Sequence, residues 1–179
     1  MRFRRTRKGI LSRPDEVEAV VLARCVRDLL TLLGDTPAPE DDPLAALVGM
    51  PSGDAVRPED PALVRLLPDA YGDADREASA EFRRYTDDEL REGKRAAART
   101  VLATLPPAGG AMLLDRDDAD AWLGCLNDLR LVLGTRLSVT EDLDPDDLSA
   151  DDPRLEALQV YGWLGWLQES LLGTLEPRR

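Results

Sequence analysis

The hydrophobic positions between residues 121 and 137 predict a helix that is apolar on more than one side. At 100° per residue, one row of this helix consists of Trp122, Leu126, Leu129, Leu133 and Leu137. Further apolar residues fall on its flanks and back: Leu123, Cys125, Leu131 and Val132. A helix with so little polar surface is typical of the centre of a bundle, so we expect other helices to pack around it.

A second apolar helix is predicted from Leu155 to Leu175, with its row at Val160, Leu164, Leu167, Leu171 and Leu175. Polar side chains interrupt both helices, and they form the first candidate site: Asn127, Asp128, Arg130, Arg136, Gln168 and Glu169. Buried charges need partners. We therefore expect the two helices to pack together, with Gln168 and Glu169 satisfying part of the first helix's polar group. The sequence leaves open whether this cluster is structural or binds a ligand.

Residues 1–11 are basic and predict either a small β-hairpin, with Gly9 in its loop, or an extended arm. Ser12 is the predicted N-cap of a helix that ends at Gly34 and buries the row Val17, Val21, Cys25, Leu29 and Leu33. The candidate nucleic-acid contacts of the basic segment are Arg4, Arg5, Arg7 and Lys8. The alternative, which we favour, is that the segment lies on the protein's own acidic surface, because surface charges are usually solvated or paired locally.

The segment 35–68 holds seven of the thirteen prolines, which excludes a long regular element there. Its short leucine-containing pieces predict that it packs on the core. Further on, Thr86 to Glu89 form a capping box that predicts a helix to about Leu105, with Leu90, Ala97 and Val101 facing inward.

The other side of that predicted helix carries a second basic group, Arg91, Lys94, Arg95 and Arg99. Nucleic-acid binding is one interpretation, and pairing with acidic neighbours such as Asp87 is the other. We favour pairing, because the connection after Leu105 is longer than the turn of a helix-turn-helix motif.

These elements predict a mainly α fold, a single-domain helical bundle over residues 1–179 with a small N-terminal hairpin. The length of 179 residues suits one domain that buries a core without disulfides. The chain contains no apolar run of about 20 residues, the length of a membrane span. It also lacks the apolar stretch of a secretory signal, so we expect a cytoplasmic protein without a membrane partner.

The charge is distributed unevenly along the chain. The net charge is −12, yet residues 1–14 contain six cations and no acid, and the remainder contains 17 basic and 35 acidic residues. Most of this surface would repel duplex DNA, so nucleic acid is a disfavoured partner. We expect a protein partner, either one with a basic face or a second copy of this chain.

Little in the composition points to an enzyme. The chain contains no histidine, which removes the usual proton shuttle, metal ligand and triad base. Cys25 and Cys125 lie in apolar helical patterns and are interpreted as core residues. The acidic run 115–120 is predicted to cap a helix, since it lacks the glycine and distant glutamate of a calcium loop. We predict no catalytic residue, no metal and no cofactor, and favour a non-enzymatic protein without excluding an enzyme.

Several residues form a pattern that resembles a known protein family. They are Trp122, the run from Leu126 to Leu137 with Asn127, Asp128, Arg130, Gly134 and Arg136, the group Tyr161, Trp163 and Leu164, the group Leu167, Gln168, Glu169 and Leu171, and Phe3, Arg4 and Gly9 near the start. This pattern resembles an uncharacterised actinobacterial family of unknown function. The resemblance implies genes beside the Clp protease adaptor and near cysteine biosynthesis, and a regulatory or housekeeping setting. It assigns no catalytic residue.

The favoured function is a regulatory or adaptor-like protein that acts through protein–protein contacts. Trp166 points away from the apolar row of its helix and, with Trp163, is the candidate interface; the alternative is that a broad helix–helix contact covers Trp166. The first alternative is a transcriptional regulator that binds nucleic acid through the basic segment. The second is an enzyme or small-ligand binder that uses Asn127, Asp128 and Arg130.

Overall fold

The computed structural model describes residues 1–34, 59–68, 76–140, 149 and 152–176, and of residues 76–86 the backbone alone. Within these ranges the chain forms β1 (Arg4–Thr6), β2 (Gly9–Ser12), α1 (Glu16–Leu33), α2 (Pro61–Leu66), α3 (Arg76–Thr104), β3 (Met112–Leu114), α4 (Arg116–Arg136) and α5 (Leu155–Leu175). The prediction of a mainly helical fold with a small N-terminal hairpin is confirmed.

Helix α4 is the centre of the molecule and packs against each of α1, α2, α3 and α5. Its side chains Trp122, Leu126 and Leu129 are buried, as the sequence predicted. The indole Nε1 of Trp122 donates a hydrogen bond to Thr104 Oγ1 over 2.8 Å. Its ring also meets the edge of Phe3, with ring centroids 5.6 Å apart. The central helix therefore links α3 to the N-terminal segment.

The acidic run before the central helix has the capping role that the sequence predicted. Helix α4 begins at Arg116, and the side chain of its N-cap, Asp115, accepts a hydrogen bond from the backbone N–H of Asp118. Asp118 in turn accepts from the backbone N–H of Asp115. This reciprocal pair satisfies backbone donors that have no partner within the helix.

Three antiparallel strands form a sheet in the order β1-β2-β3. Gly9 adopts a φ of 138°. A Cβ on this residue would lie 2.5 Å from the carbonyl oxygen of Leu114, so strand β3 approaches β2 too closely here for any other residue. The third strand was not predicted, and it joins the hairpin to the middle of the chain.

The predicted start and phase of α1 are wrong. Ser12 is not its N-cap; it ends β2, and its buried hydroxyl donates to the backbone oxygen of Arg2 over 3.0 Å. Asp15 caps the helix instead, in a capping box with Glu18. The buried row is Ala19, Leu22, Val26, Leu29 and Leu33, whereas Val17 is 71% exposed. Gly34 ends the helix, as predicted.

The predicted helix start at Thr86 is also wrong, because α3 runs unbroken from Arg76 to Thr104. Ala98 and Val101 lie in the core, but Leu90 is 42% exposed. The described end of the proline-rich segment forms α2, which packs on α4 and buries Ala62 and Leu66. The rest of that segment, residues 35–58, lies outside the described residues.

Helix α5 has the predicted bounds, and its buried residues include Leu164, Leu167 and Leu171. It packs along α4 and beside β1, where Ser170 Oγ accepts a hydrogen bond from the backbone N–H of Phe3 over 3.0 Å. The last helix is therefore attached to the first residues of the chain. None of the helices in the described ranges is long and apolar enough to cross a membrane.

Candidate functional site

The six polar residues predicted as one cluster are distributed over several contacts. Asn127, Arg136 and Glu169 are exposed, Arg130 and Gln168 are half-buried, and Asp128 is buried. One pair across the α4–α5 contact forms as expected, because Arg130 Nη1 donates to Gln168 Oε1 over 2.8 Å. Asp128 and Arg136 have partners elsewhere, in Lys94 of α3 and in Asp60, which precedes α2. These residues therefore do not converge on a single site.

Asp128 pairs with a lysine that the sequence analysis did not connect to it. Its Oδ1 accepts a hydrogen bond from Lys94 Nζ of α3 over 2.7 Å, and the carboxylate side chain is 4% exposed. Burial raises the pKa of Asp128, and the hydrogen bond and positive charge of Lys94 act in the opposite direction. The position of Lys94 indicates that it needs a buried partner. It lies one helical turn before the buried Ala98, and a lysine on an apolar row has to be paired.

Arg130 lies flat against α5. Its guanidinium carbon is 5.3 Å from the centre of the Tyr161 ring, and a Cβ on Gly165 would be 3.5 Å from its Nε. The glycine therefore leaves the space in which the guanidinium packs. Its buried Nε has no hydrogen-bond partner. The aromatic ring and Gln168 hold this cation without a carboxylate from any described residue.

Arg136 lies at the end of the central helix and points toward solvent. Its side chain is 55% exposed, and Nη2 lies 3.2 Å from Oδ2 of Asp60, the N-cap of α2. It borders a groove of about 320 Å³ between α1 and α4, which is otherwise lined mainly by leucines and also by Cys25 and Asp28. An exposed pair of this kind contributes little to stability.

The second basic group, on α3, is occupied by contacts within the protein. Arg95 is 4% exposed and donates to the backbone oxygens of Leu33 and Gly34 at the end of α1, over 2.8 and 2.7 Å. Arg91 reaches Leu33 as well, over 3.3 Å, and also pairs with Asp87 over 3.6 Å. Arg99 pairs with Glu92. These contacts favour the local-pairing interpretation over nucleic-acid binding.

The N-terminal basic group behaves differently. Arg4, Arg5, Arg7 and Lys8 are all exposed, and none of them forms an ion pair with another described residue. Arg5 makes one long hydrogen bond, of 3.4 Å, to the backbone oxygen of Glu176. In the described part of the chain, the hairpin thus does not neutralise its charge on the protein's own acidic surface.

The two candidate interface tryptophans have different surroundings. Trp163 is half-buried and packs against the core, whereas Trp166 is 45% exposed. Gly162 and Gly173 lie on the exposed side of the same helix, and no atom lies within 4 Å of the position a Cβ would take at either. Trp166 therefore projects from a helix surface that has no side chain at Gly162 and Gly173.

Both cysteines are free thiols in an environment that opposes ionisation. Burial, together with the negative charge of Asp128, raises the pKa of Cys125 to about 12. Burial also raises the pKa of the half-buried Cys25, with a contribution from Asp28. Since the thiolate is the reactive and metal-binding form, neither side chain is activated. No group of three potential metal ligands occurs among the described residues.

Comparison with known proteins assigns the chain to a family. The family model described as "Domain of unknown function (DUF2017)" matches residues 1–175, so the chain belongs to this family. It is 38% identical over 101 residues to proteins named "Oxidative stress regulator AosR" from Mycobacterium bovis and Mycobacterium tuberculosis. A Mycobacterium leprae protein that also carries the AosR name is 37% identical over 94 residues.

These alignments cover part of each protein. They span 56% of this chain and 46% of the M. bovis and M. tuberculosis proteins, and 52% and 43% for M. leprae. The chain thus matches about half the length of its curated relatives. No solved structure matches it. The mycobacterial relatives agree with the predicted actinobacterial family.

Proposed function

We propose that this member of the DUF2017 family is a non-enzymatic cytoplasmic regulator that acts by binding another protein through the exposed face of α5. The names of its mycobacterial relatives support a regulatory role. The dispersal of the polar residues of α4 over separate contacts gives no support to a catalytic centre there. The neighbourhood with the Clp adaptor, implied by the family resemblance, stays a prediction.

The exposed tryptophan carries this proposal. Trp166 is 45% exposed on a helix whose opposite face, at Leu164, Leu167 and Leu171, is fully buried. Tryptophan is enriched among the residues that dominate binding energy at protein interfaces. Gly162 and Gly173 leave the surface around it open to a close approach. A partner can therefore contact the exposed part of the indole directly.

The thiols bear on how such a regulator would respond to oxidants. With raised pKa values, Cys25 and Cys125 remain protonated at neutral pH and react slowly with peroxide. The names of the relatives give those proteins a role in oxidative stress. If this chain has such a role, we propose that it acts by binding a partner. The protein itself would not be the sensor.

The experiment compares wild type with Trp166→Ala and with Val20→Ala, which shortens another exposed apolar residue. Each is used to capture proteins from native lysate, and the captured protein is purified and its affinity for all three is measured by titration calorimetry. We expect Trp166→Ala to weaken binding about thirtyfold, the effect of an interface hot spot. Val20→Ala should bind as wild type does. Equal affinity of all three proteins would contradict the proposal.

A nucleic-acid-binding regulator is the second candidate, and the exposed cations Arg4, Arg5, Arg7 and Lys8 favour it. The acidic remainder of the molecule opposes it, because the field of 35 acidic residues repels phosphates. Retention on a DNA column that falls steeply with salt would support this candidate. Elution in the void volume at low salt would exclude it.

A further inference from the structure

We propose that the outer face of the N-terminal sheet is a docking site for an acidic, leucine-containing segment of a partner protein. This inference rests on the proposed function, since it names a second surface and the chemistry of what binds there. The surface consists of Arg4, Leu11 and Leu113 with the neighbouring exposed cations, and we call it the sheet face.

The strand register brings the three central residues of the sheet face into one row. Arg4 is the partner of Leu11 across β1 and β2, and Leu11 is the partner of Leu113 across β2 and β3. Side chains alternate between the two sides of a strand. Because Ile10, Met112 and Leu114 are buried, their neighbours Leu11 and Leu113 point to the other side. Leu113 is 48% exposed there.

The charge of this surface is unbalanced. Arg2 precedes β1 and Arg13 follows β2, and both are exposed, as are Arg7 and Lys8 in the turn. Arg5, the partner of Ile10, belongs to the other side of the sheet. No ion pair joins any of these cations to another described residue. The carboxylate nearest in sequence to β3, that of Asp115, is engaged as the N-cap of α4. The sheet face therefore offers positive charge that an acidic ligand can pair with.

The exposed Leu113 and the half-buried Leu11 indicate which acidic ligand fits. Duplex DNA presents phosphates and no aliphatic group to cover Leu11 and Leu113, and the acidic remainder of this protein repels it over a large surface. A polypeptide that carries both carboxylates and leucines satisfies the two kinds of group together. Protein interfaces combine apolar residues with polar residues at their rim, and on the sheet face Arg4 of β1 lies beside the two leucines of β2 and β3.

The test uses a fluorescein-labelled peptide of about 16 residues, rich in glutamate with leucines spaced among them, and measures anisotropy at about 0.15 M NaCl. We expect saturable binding to the wild-type chain. Arg4→Glu and Leu113→Thr should each weaken it about tenfold. Two matched controls away from the sheet face, Arg27→Glu and Leu90→Gln, should leave it unchanged. Thermal melting establishes that all four variants fold.

Three results of the binding assay would overturn the inference: no saturable binding of the peptide, equal binding of a peptide in which serines replace the leucines, or tighter binding of a DNA duplex of the same charge. Sedimentation of the wild-type chain alone shows whether a second copy of this chain occupies the sheet face. A dimer that Arg4→Glu dissociates would also overturn the inference. If Trp166→Ala keeps full partner affinity while the sheet-face variants lose the peptide, the proposed α5 interface is wrong and the proposed sheet-face site is supported. If Trp166→Ala loses partner affinity while the sheet-face variants still bind the peptide, only the sheet-face proposal is wrong.

Discussion

Asp128 and Lys94 show how one buried contact depends on two helices. The carboxylate is 4% exposed and the lysine side chain 17% exposed, so both groups have lost most of their hydration. An ion pair of this kind contributes little net stability, whereas breaking it leaves an uncompensated buried charge. The pair therefore fixes the register of α3 on α4 more than it adds to the free energy of unfolding.

The pH dependence of stability reports on Asp128. Its raised pKa means that the folded protein retains a proton that the unfolded chain has already released. The contribution of this group to the free energy of unfolding is highest in acid, decreases as the pH rises from the ordinary value of 3.8 through the raised value, and is constant above it. Asp128→Asn should gain stability relative to wild type over that interval. Urea unfolding between about pH 3.5 and 7 measures the difference.

Removal of the lysine is the matched comparison. Lys94→Met should lower the free energy of unfolding by about 3 kcal/mol near neutral pH, because it leaves the buried carboxylate unpaired. Asp128→Asn should cost less, since the amide oxygen still accepts from Lys94 Nζ. A larger loss in Asp128→Asn, or a pH-independent difference from wild type, would contradict this account.

The two thiols provide a kinetic prediction. With a pKa of about 12, Cys125 holds about a thousandfold less thiolate at pH 8 than an ordinary thiol. Cys25→Ala, which leaves Cys125 alone, should therefore react with a disulfide reagent about a thousandfold more slowly in the native state than in guanidinium. Cys125→Ala leaves the half-buried Cys25, and in the native state it should react faster than Cys25→Ala. Rapid labelling of Cys125 in the native protein would refute its assignment as a core thiol.

At the scale of elements, the end of α1 is closed by an arginine from α3. The last carbonyls of a helix have no partner inside it, and Arg95 supplies donors to two of them. Arg95→Met should lower the free energy of unfolding by about 1 to 3 kcal/mol, because Gly34 O loses its donor and Leu33 O keeps only the longer hydrogen bond from Arg91. Urea denaturation measures the change.

Arg99→Met is the control for that measurement. Its side chain is 55% exposed and pairs with Glu92, so its loss should change the free energy of unfolding by no more than about 0.5 kcal/mol. Equal effects of the two substitutions would show that the helix end does not need Arg95.

The sequence predicted which helices exist better than where they begin or which side they bury. In α1 the predicted row used a constant spacing of four, which drifts by about 40° at each step. The buried row alternates spacings of three and four, from Ala19 through Leu22 and Val26 to Leu33, and so stays on one side. At Thr86 a capping motif lies inside a continuous helix, because such a motif contributes only about 1 kcal/mol and does not by itself end the preceding helix.

The candidate site was predictable only in part. The contact between Arg130 and Gln168 followed from two neighbouring apolar helices with polar interruptions. The partners of Asp128 and Arg136 could not be predicted from the sequence. Lys94 and Asp60 are distant in sequence, and the hydrophobic pattern does not determine how their elements pack on α4. Strand β3 was missed for the same reason, because three residues acquire strand geometry only by pairing with β2.

At the scale of the whole molecule, the net charge of −12 opposes the compact state. Salt screens this repulsion and also weakens exposed ion pairs such as Arg116 with Asp120. Since each exposed pair contributes little, the repulsion should dominate. We expect the free energy of unfolding to rise by about 1 kcal/mol between low salt and 0.5 M NaCl, measured by thermal and urea unfolding. A decrease would show that the ion pairs outweigh the net charge.

The attachment of the first residues to β3 and α5 determines how late this protein can fold on the ribosome. Translation adds about 5 to 20 residues per second, so the hairpin emerges several seconds before Met112 to Leu114 can pair with it. Ser170, which accepts from the backbone of Phe3, emerges later still. Until then the apolar sides of α4 have no helix α5 to cover them. In the nascent chain these apolar sides are therefore exposed from the emergence of α4 until α5 has followed it.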